Sequence, residues 1–521
     1  MTVADSRLSG GRPPEAASPA RGFVRAAERF VAENREGTVI VLALAGFLVL
    51  WTIYDAVSFA SVDQHSDISE LWGWAQNFGF GVKHPPLQAW VFGLWFAVFP
   101  RADWATYLLA VTTATVTLAI TWRLLRDHLD GNRALIGLTA LFLVPLYTLR
   151  GATLDANTVI MPFWAAALLF YLRARRGFGV FDAVLTGAFV GLAFLGKYWT
   201  AYLVAGMAAA SLAGNGTRRF WRSPAPYLMA AGAAIVIGPH LLGLMIEGGG
   251  ATYNFVRDGV MNADSFGTAL VKSGYYLLGA AAYVAIPLIF LAALRPDRAA
   301  LADIAWPADP DRQQALLLFA VPLVLPALVN LALPHRLTPI WTYPNWALLP
   351  VVLYGSPLIN VDARAGARAC LVALAVSLAF VGASPLVAYW RLDHFANPHQ
   401  AHYRQVAEAV ERFAGPPPQM LWGSKEIVDG LAFYLSKAQL LAADPLSAEG
   451  RTKAGTRGLA IICLSDDARC KATGAALQGA AYRATDITLA RTFLGFAGPP
   501  ASYRIMVVPG NNAAETPPLR R

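Results

Sequence analysis

Charge is scarce along most of this chain, and that scarcity excludes whole classes of protein. Only 14% of the 521 residues are Asp, Glu, Lys or Arg, 56% are apolar, and mean hydropathy is +0.45. A soluble domain carries about a quarter of its residues charged, so this composition points to an integral membrane protein. Cysteine is nearly absent. Cys370 sits in an apolar run and reads as packing, whereas Cys463 and Cys470 lie in the less oily last segment. They could pair there if that segment faces an oxidising compartment, but spacing alone leaves the pairing open. No Cys-x-x-Cys, His-x-x-x-His or Walker loop occurs, and Gly248-Gly249-Gly250 follows no strand. The chain therefore offers no metal, redox or nucleotide motif. No repeat period is visible either.

Apolar runs are abundant instead. Thr38 to Ala60 is the first span, starting too late and running too long for a cleavable signal. Leu87 to Phe99 is short and reads as an interfacial or re-entrant helix. Further spans are expected near 104–122, 134–149, 157–172, 180–196, 198–213, 225–246, 270–294, 314–333, 343–357 and 369–389, eleven in all with the first. That count puts both Arg175-Arg176 and Arg218-Arg219 in cytoplasmic loops, together with Arg295 and Arg364. The net charge of +9 is thus the positive-inside bias, and nucleic acid is not the expected partner.

Residues 1–36 read as a cytoplasmic tail ending in an amphipathic helix near Phe23 to Ala32, and 37–391 as the transmembrane domain. Residues 392–521 alternate helical and β-rich patterns, which predicts a small α/β domain on the periplasmic side.

The first outer loop concentrates polarity. It reads Asp67-Ile68-Ser69-Glu70-Leu71-Trp72-Gly73-Trp74-Ala75-Gln76, then Lys83-His84-Pro85-Pro86-Leu87. Asp67 and Glu70 are one helical turn apart on one face, and the Pro-Pro pair suits a helix start. This stretch resembles the first extracytoplasmic loop of polyprenol-phosphate-dependent glycosyltransferases of the GT-C class. The resemblance is strongest to family 39, with the protein mannosyltransferases, aminoarabinose transferases and rhizobial lipopolysaccharide sugar transferases. Their loop has Asp-Glu, an aromatic helix, then Lys-Pro-Pro-Leu. Asp67 falls on the Asp, Ile68 stands where the family has Glu, and His84-Pro85-Pro86-Leu87 falls on the last motif. The likeness extends over roughly residues 40 to 350.

The resemblance implies that Asp67 is a general base for the acceptor, although an Asp there also suits a helix N-cap. Glu70 is read as a partner carboxylate orienting the acceptor or a divalent cation, or else as a solvated face. Asp55 and Asp63 are weaker candidates, Asp63 as a turn cap. Asp155 resembles the family's second acidic position and equally suits a helix N-terminal dipole. Arg150, five residues before it, would bind phosphate or neutralise Asp155.

The membrane region holds only the lysines Lys83, Lys197 and Lys272, all expected at the outer face against the charge bias. Lys197 ends Gly191-Leu-Ala-Phe-Leu-Gly196-Lys197, which resembles the family's Gly-Leu-x-x-Leu-x-Lys signature. With His84, Arg257 and the other two lysines it could neutralise the donor's phosphate, and the bland alternative is snorkelling or pairing with carboxylates. His335, Arg336, Tyr343 and Asn345 cluster near a late outer end, where Pro344-Asn345-Trp346 also resembles the family. Trp72 and Tyr343 could stack on sugar, or belong to an interfacial aromatic belt.

The reading that follows is an α-helical inner-membrane protein of the GT-C class with a small C-terminal α/β periplasmic domain. It is expected to be an inverting glycosyltransferase moving a sugar from a polyprenyl-phosphate donor to an envelope glycan, lipid or protein. The alternatives are a lipid or solute transporter, which would place charges near mid-bilayer, and a non-catalytic polyprenol-lipid-binding subunit.

Overall fold

The computed structural model describes residues 19–34, 37–76, 84–149, 154–214, 216–246, 250–261, 264–395, 397–415, 418–435, 438–477 and 483–510. Among them six helices are long and apolar enough to cross a bilayer: Thr38–Ser58, Asp103–Arg126, Ala156–Gly177, Ala225–Ile246, Pro310–Ala332 and Ala363–Arg391. Phe266–Tyr283 and Ala285–Ala293, bent by 53°, make a seventh if they act as one span.

The expected eleven spans are thus not eleven continuous helices, and the sequence shows why. The run 134–149 is helical only through Gly131–Leu141, because Pro145 lacks the N–H a helix needs and the chain turns through buried Leu146 and Tyr147. The run 198–213 starts as a 3-10 turn, Tyr198–Thr200, before Ala201–Leu212. The run 343–357 lies partly in a 3-10 segment, Pro339–Leu348, which leads into the short helix Leu349–Tyr354. Irregular backbone is tolerated at membrane depth where protein covers it. Tyr147, Tyr343, Trp346 and Tyr354 all lie in the main core. Leu87–Val98, with 12 residues, falls short of a bilayer crossing.

Ala156–Gly177 is the central helix, with 72% of its apolar window buried, and it packs on both Asp103–Arg126 and Val180–Gly196. That explains its apolar character on all sides. Glycine lets neighbours close further: a Cβ on Gly187 would lie 2.1 Å from the Met229 carbonyl, so Val180–Gly196 and Ala225–Ile246 meet backbone to backbone. At the other end of the bundle the amphipathic helix Pro19–Asn34 leans on Ala363–Arg391, where Glu28 meets Arg368 at 2.8 Å.

After Arg391 the chain builds a separate sheet. Its strands are β1 (Met420–Gly423), β2 (Gln439–Leu440), β3 (Leu459–Leu464), β4 (Arg483–Leu489) and β7 (Ala501–Val508), in the order β2-β1-β3-β7-β4. The first three are parallel, while β7 is antiparallel to both its neighbours. A hairpin of β5 (Thr492–Phe493) and β6 (Phe496–Ala497) stands apart. Alternation along β3 sorts two cores. Ala460 and Ile462 face the helices Tyr403–Ala414 and Lys425–Leu431, while Leu459, Ile461 and Cys463 face the opposite layer. Cys463 and Cys470 are joined in a disulfide on that second layer, with Cα atoms 5.6 Å apart.

This domain is fastened to the first loop through buried polar groups. Asp63 is fully buried; its carboxylate accepts from Arg491 Nη1 at 3.1 Å and from the Arg404 backbone N–H at 2.8 Å. Arg404 also pairs with Asp103, whose other oxygen accepts from Tyr434 at 3.0 Å. Tyr434 in turn accepts from the Gln64 backbone N–H, and Ser69 donates to the Gly430 carbonyl at 2.8 Å. The expectation that Asp63 merely caps a turn is corrected by these partners. Burial pushes its carboxyl up to about 6, against the pull of Arg491.

Removing one partner from a buried ion pair costs about 3–5 kcal/mol, because the other is left uncompensated. Arg491→Ala should therefore loosen the C-terminal domain by that order. Limited proteolysis in detergent should cleave within 397–510 faster than in the parent protein, and equal cleavage rates would show that Arg491 does not hold the interface.

Candidate active site

The helix Ser66–Ala75 is short, and its position is set by the apolar face it buries. Ile68, Leu71 and Ala75 pack with Leu87, Phe92, Leu154 and Phe433. Ile68, standing where the family has Glu, is 1% exposed and belongs to this seam. Asp67, one position earlier, turns the other way and is exposed. His65 precedes the helix as its N-cap. Its Nδ1 accepts from the Asp67 N–H at 3.2 Å and lies 3.3 Å from Asp67 Oδ2. When protonated, Nδ1 donates to the Asp67 carboxylate instead, and this side-chain bond raises the imidazole above its ordinary range, against the opposing effect of burial.

Asp67 and His65 line a cavity of about 390 Å³ together with Tyr107, Arg391, His394 and Gln400. These come from the first loop, the helix Asp103–Arg126, and the connection into the C-terminal domain. Arg391 is held with its guanidinium 3.5 Å from the centre of the Phe59 ring, and it donates to the Ser58 carbonyl at 2.9 Å. Trp390 stacks on His394 with centroids 4.7 Å apart. Phe59 and Tyr107 also line a second cavity, of about 500 Å³, where Arg101, Arg404 and Arg491 meet Asp103, Glu408 and Glu411. An acid and a guanidinium facing one chamber at the end of a membrane bundle can deprotonate a hydroxyl and neutralise an anion.

A second polar chain lies at the start of the central helix. Asp155 caps it: Oδ1 accepts from the Thr158 N–H at 2.9 Å, and Oδ2 accepts from Asn157 Nδ2 at 2.9 Å. Asn157 Oδ1 accepts from Lys197 Nζ at 2.6 Å. The Lys197 ammonium lies 4.2 Å from the Trp341 ring centre and 5.7 Å from that of Trp199. The sequence signature before Lys197 and the Asp155 position are thus brought together through Asn157, a residue that sequence reasoning did not single out.

The other candidates are placed as follows. Lys83 and Arg150 lie outside the described residues. Glu70 is half-buried, does not line either of these two cavities, and acts electrostatically on Lys425 of the C-terminal domain. Trp72 is half-buried beneath the Arg101 guanidinium, 4.9 Å from its ring centre. His84 meets Trp74 edge-on at 5.7 Å. Lys272 pairs with Asp264 at 2.5 Å, and Arg257 lies 5.8 Å from the centre of the Tyr253 ring. His335 is buried with Nδ1 against the Leu333 carbonyl, and the Arg336 N–H donates to Val260. Tyr343 and Asn345 are buried in the 3-10 segment, so neither presents a free face to a sugar. Asp55 is wholly buried near Arg391. Among the described residues no group of three or more His, Cys, Asp or Glu could hold a metal ion.

His65, Tyr107, Arg391, His394 and Gln400 were not foreseen. The His-Ser-Asp run before the helix could have drawn attention to His65. The others come from distant parts of the chain, and only folding gathers them.

A helical membrane bundle with an acidic loop helix at one end and a small α/β domain beside it is a fold of the GT-C type. The fold matches that of ArnT from Cupriavidus metallidurans bound to undecaprenyl phosphate, with a TM-score of 0.59 and 14% identity over 90% of this chain and 97% of that one. Residues 83–242 match the family described as dolichyl-phosphate-mannose-protein mannosyltransferase. Lipid A galacturonosyltransferase RgtD of Rhizobium johnstonii is 29% identical over 328 residues, which is 61% of this chain and 63% of that relative's length. The chain spans about three fifths of that relative's length.

The His65–Asp67 contact has a sign that can be tested. A raised folded value means that its contribution is fully present below the unfolded histidine value and is lost as pH rises through the folded one. In histidine-labelled protein, the resonance removed by His65→Gln should titrate above the ordinary histidine value of 6.5. It should move back towards that value in Asp67→Asn. A midpoint unaffected by Asp67→Asn would mean the two side chains do not interact in solution.

Proposed function

We propose that this chain is an inverting membrane glycosyltransferase that moves a sugar from a polyprenyl-phosphate donor to a lipid acceptor at the outer face of the bacterial inner membrane. The observation that carries the reading is one chamber: Asp67 and Arg391 line the same outer cavity of about 390 Å³. The relatives' names favour the same chemistry, since RgtD is a lipid A galacturonosyltransferase and ArnT was solved with undecaprenyl phosphate. They favour an acceptor of the lipid A type over a protein, and leave the transferred sugar to experiment.

In this reading the acceptor hydroxyl gives its proton to the Asp67 carboxylate as its oxygen bonds to the sugar's anomeric carbon. The bond from that carbon to the phosphate oxygen breaks, and the electron pair leaves with the polyprenyl phosphate. Arg391 offsets the charge that grows on the leaving phosphate. Its stacking on Phe59 and its bond to Ser58 fix the guanidinium before substrate arrives, so little reorganisation is needed during the reaction. His65 holds Asp67 in orientation. Lys197, wired through Asn157 to Asp155, supplies a second cation beside two indole faces, an arrangement suited to a sugar or phosphate approaching along the central helix.

Loss of a general base slows transfer by about 10²–10⁴-fold. Asp67→Asn in proteoliposomes should lower the rate of sugar loss from polyprenyl phosphate by that order, while binding of the donor lipid, read by native mass spectrometry, persists. Turnover equal to the parent's would remove Asp67 from the mechanism. No transfer by the parent protein from any polyprenyl-phosphate sugar would remove the activity itself.

A further inference from the structure

The β5–β6 hairpin presents bulky apolar side chains where a turn of its kind favours Asn-Gly. Phe493 pairs with Phe496, and the two residues between them both have positive φ: Leu494 at 49° and Gly495 at 86°. That is the geometry of a type I′ turn, in which the first position suits Asn, Asp or Gly. Leucine is costly there, since its Cβ crowds the backbone in the left-handed region. Nor does it earn its place by packing: Leu494 is 76% exposed and Phe496 56%.

The hairpin's position says what meets it. Phe496 packs edge-on against Tyr389, with centroids 4.9 Å apart, in the last turn of the 29-residue spanning helix Ala363–Arg391. At its base, a Cβ on Gly498 would lie 3.0 Å from the Leu392 carbonyl, so the hairpin lies directly on the chain leaving the bilayer. That helix exposes Leu378, Leu386, Tyr389 and Trp390, the side it must show to lipid. Leu494 and Phe496 continue this surface by one element. Arg491, immediately before β5, reaches the other way, donating to the Ala60 carbonyl at 3.0 Å and to buried Asp63.

We infer that the β5–β6 hairpin is a membrane anchor, with Leu494 and Phe496 seated in the outer leaflet of the bilayer. The occupant of this surface is phospholipid, because the patch runs without a break into the lipid-facing side of a spanning helix. The hairpin adds to the Asp63–Arg491 link by holding the domain at the level of the Trp390–His394 segment, whose Trp390, Arg391 and His394 form one wall of the Asp67 cavity. Lipid contact on one side of this segment therefore steadies a cavity wall on the other.

The test is independent of any transferase activity. In a Cys370→Ala background, with Cys463 and Cys470 joined to each other, Leu494→Cys carries a nitroxide spin label and the protein is placed in phospholipid nanodiscs. Ala484→Cys, exposed on β4, is the aqueous control. The label at 494 is expected to collide severalfold more with oxygen than with a water-soluble nickel chelate, and the label at 484 to show the reverse. Equal chelate access at both positions would overturn the anchor. Leu494→Asn provides a second measurement, since Asn suits the turn and folding is spared. In nanodiscs it should speed amide exchange severalfold across 491–498 and 390–395. Exchange unchanged from the parent would refute the steadying of the wall.

Discussion

A single buried carboxylate, Asp63, holds the two parts of this protein together. It sits in the loop after the first spanning helix with no exposure to solvent, satisfied by Arg491 and by the backbone of Arg404. A charge in such a place is costly unless each oxygen finds a partner, and both partners belong to the C-terminal domain. The loop and the domain are therefore each incomplete without the other. Arg404 extends the arrangement to Asp103, and Tyr434 ties Asp103 to the Gln64 backbone. Because Asp67 lies four residues beyond Asp63, the orientation of the acidic helix follows from this polar knot as much as from its own apolar face.

The polar residues divide into two lines. One runs from His65 and Asp67 to Arg391 and His394 around the smaller outer cavity; the other runs from Asp155 through Asn157 to Lys197 and its indoles. The first joins the membrane bundle to the outer domain, and the second is built wholly within the bundle. A membrane enzyme of the proposed kind needs both a water-exposed base and cations close to the lipid, because its two substrates share a surface and not a solution. The GT-C fold meets that need with short, interrupted helices at one end of the bundle. Where the chain breaks at Gly196 and Pro339, backbone irregularity brings Lys197 and Trp341 together.

The substitution of Ile68 for the family's Glu has a local rationale. The side chain at this position faces the seam with Phe92, Leu154 and Phe433, where an ionised group would be buried without a partner. An apolar residue there strengthens the docking of the loop helix, and the polar support for Asp67 comes from His65 in front of it. Glu70, one turn on, acts electrostatically on Lys425 of the C-terminal domain.

Much was legible in the residue order. Length and oiliness of the runs, the position of arginines, and the Asp-x-x-Glu loop before His84-Pro85-Pro86 specify a membrane bundle, its class and the Asp67 candidate, because hydrophobic transfer and motif chemistry act locally along the chain. The α/β alternation after Asp393 likewise appears as a five-stranded sheet with its helices. Helix continuity was not legible where Pro145 and Pro344 interrupt apolar stretches, since hydropathy registers burial and not helix continuity. The sequence alone also left the Cys463–Cys470 pairing open, and it made Asp63 a turn cap. Those questions, and the meeting of Asp67 with Arg391, were decided by tertiary structure. A side chain's partners across more than 300 residues depend on which surfaces bury each other, and no local pattern encodes that.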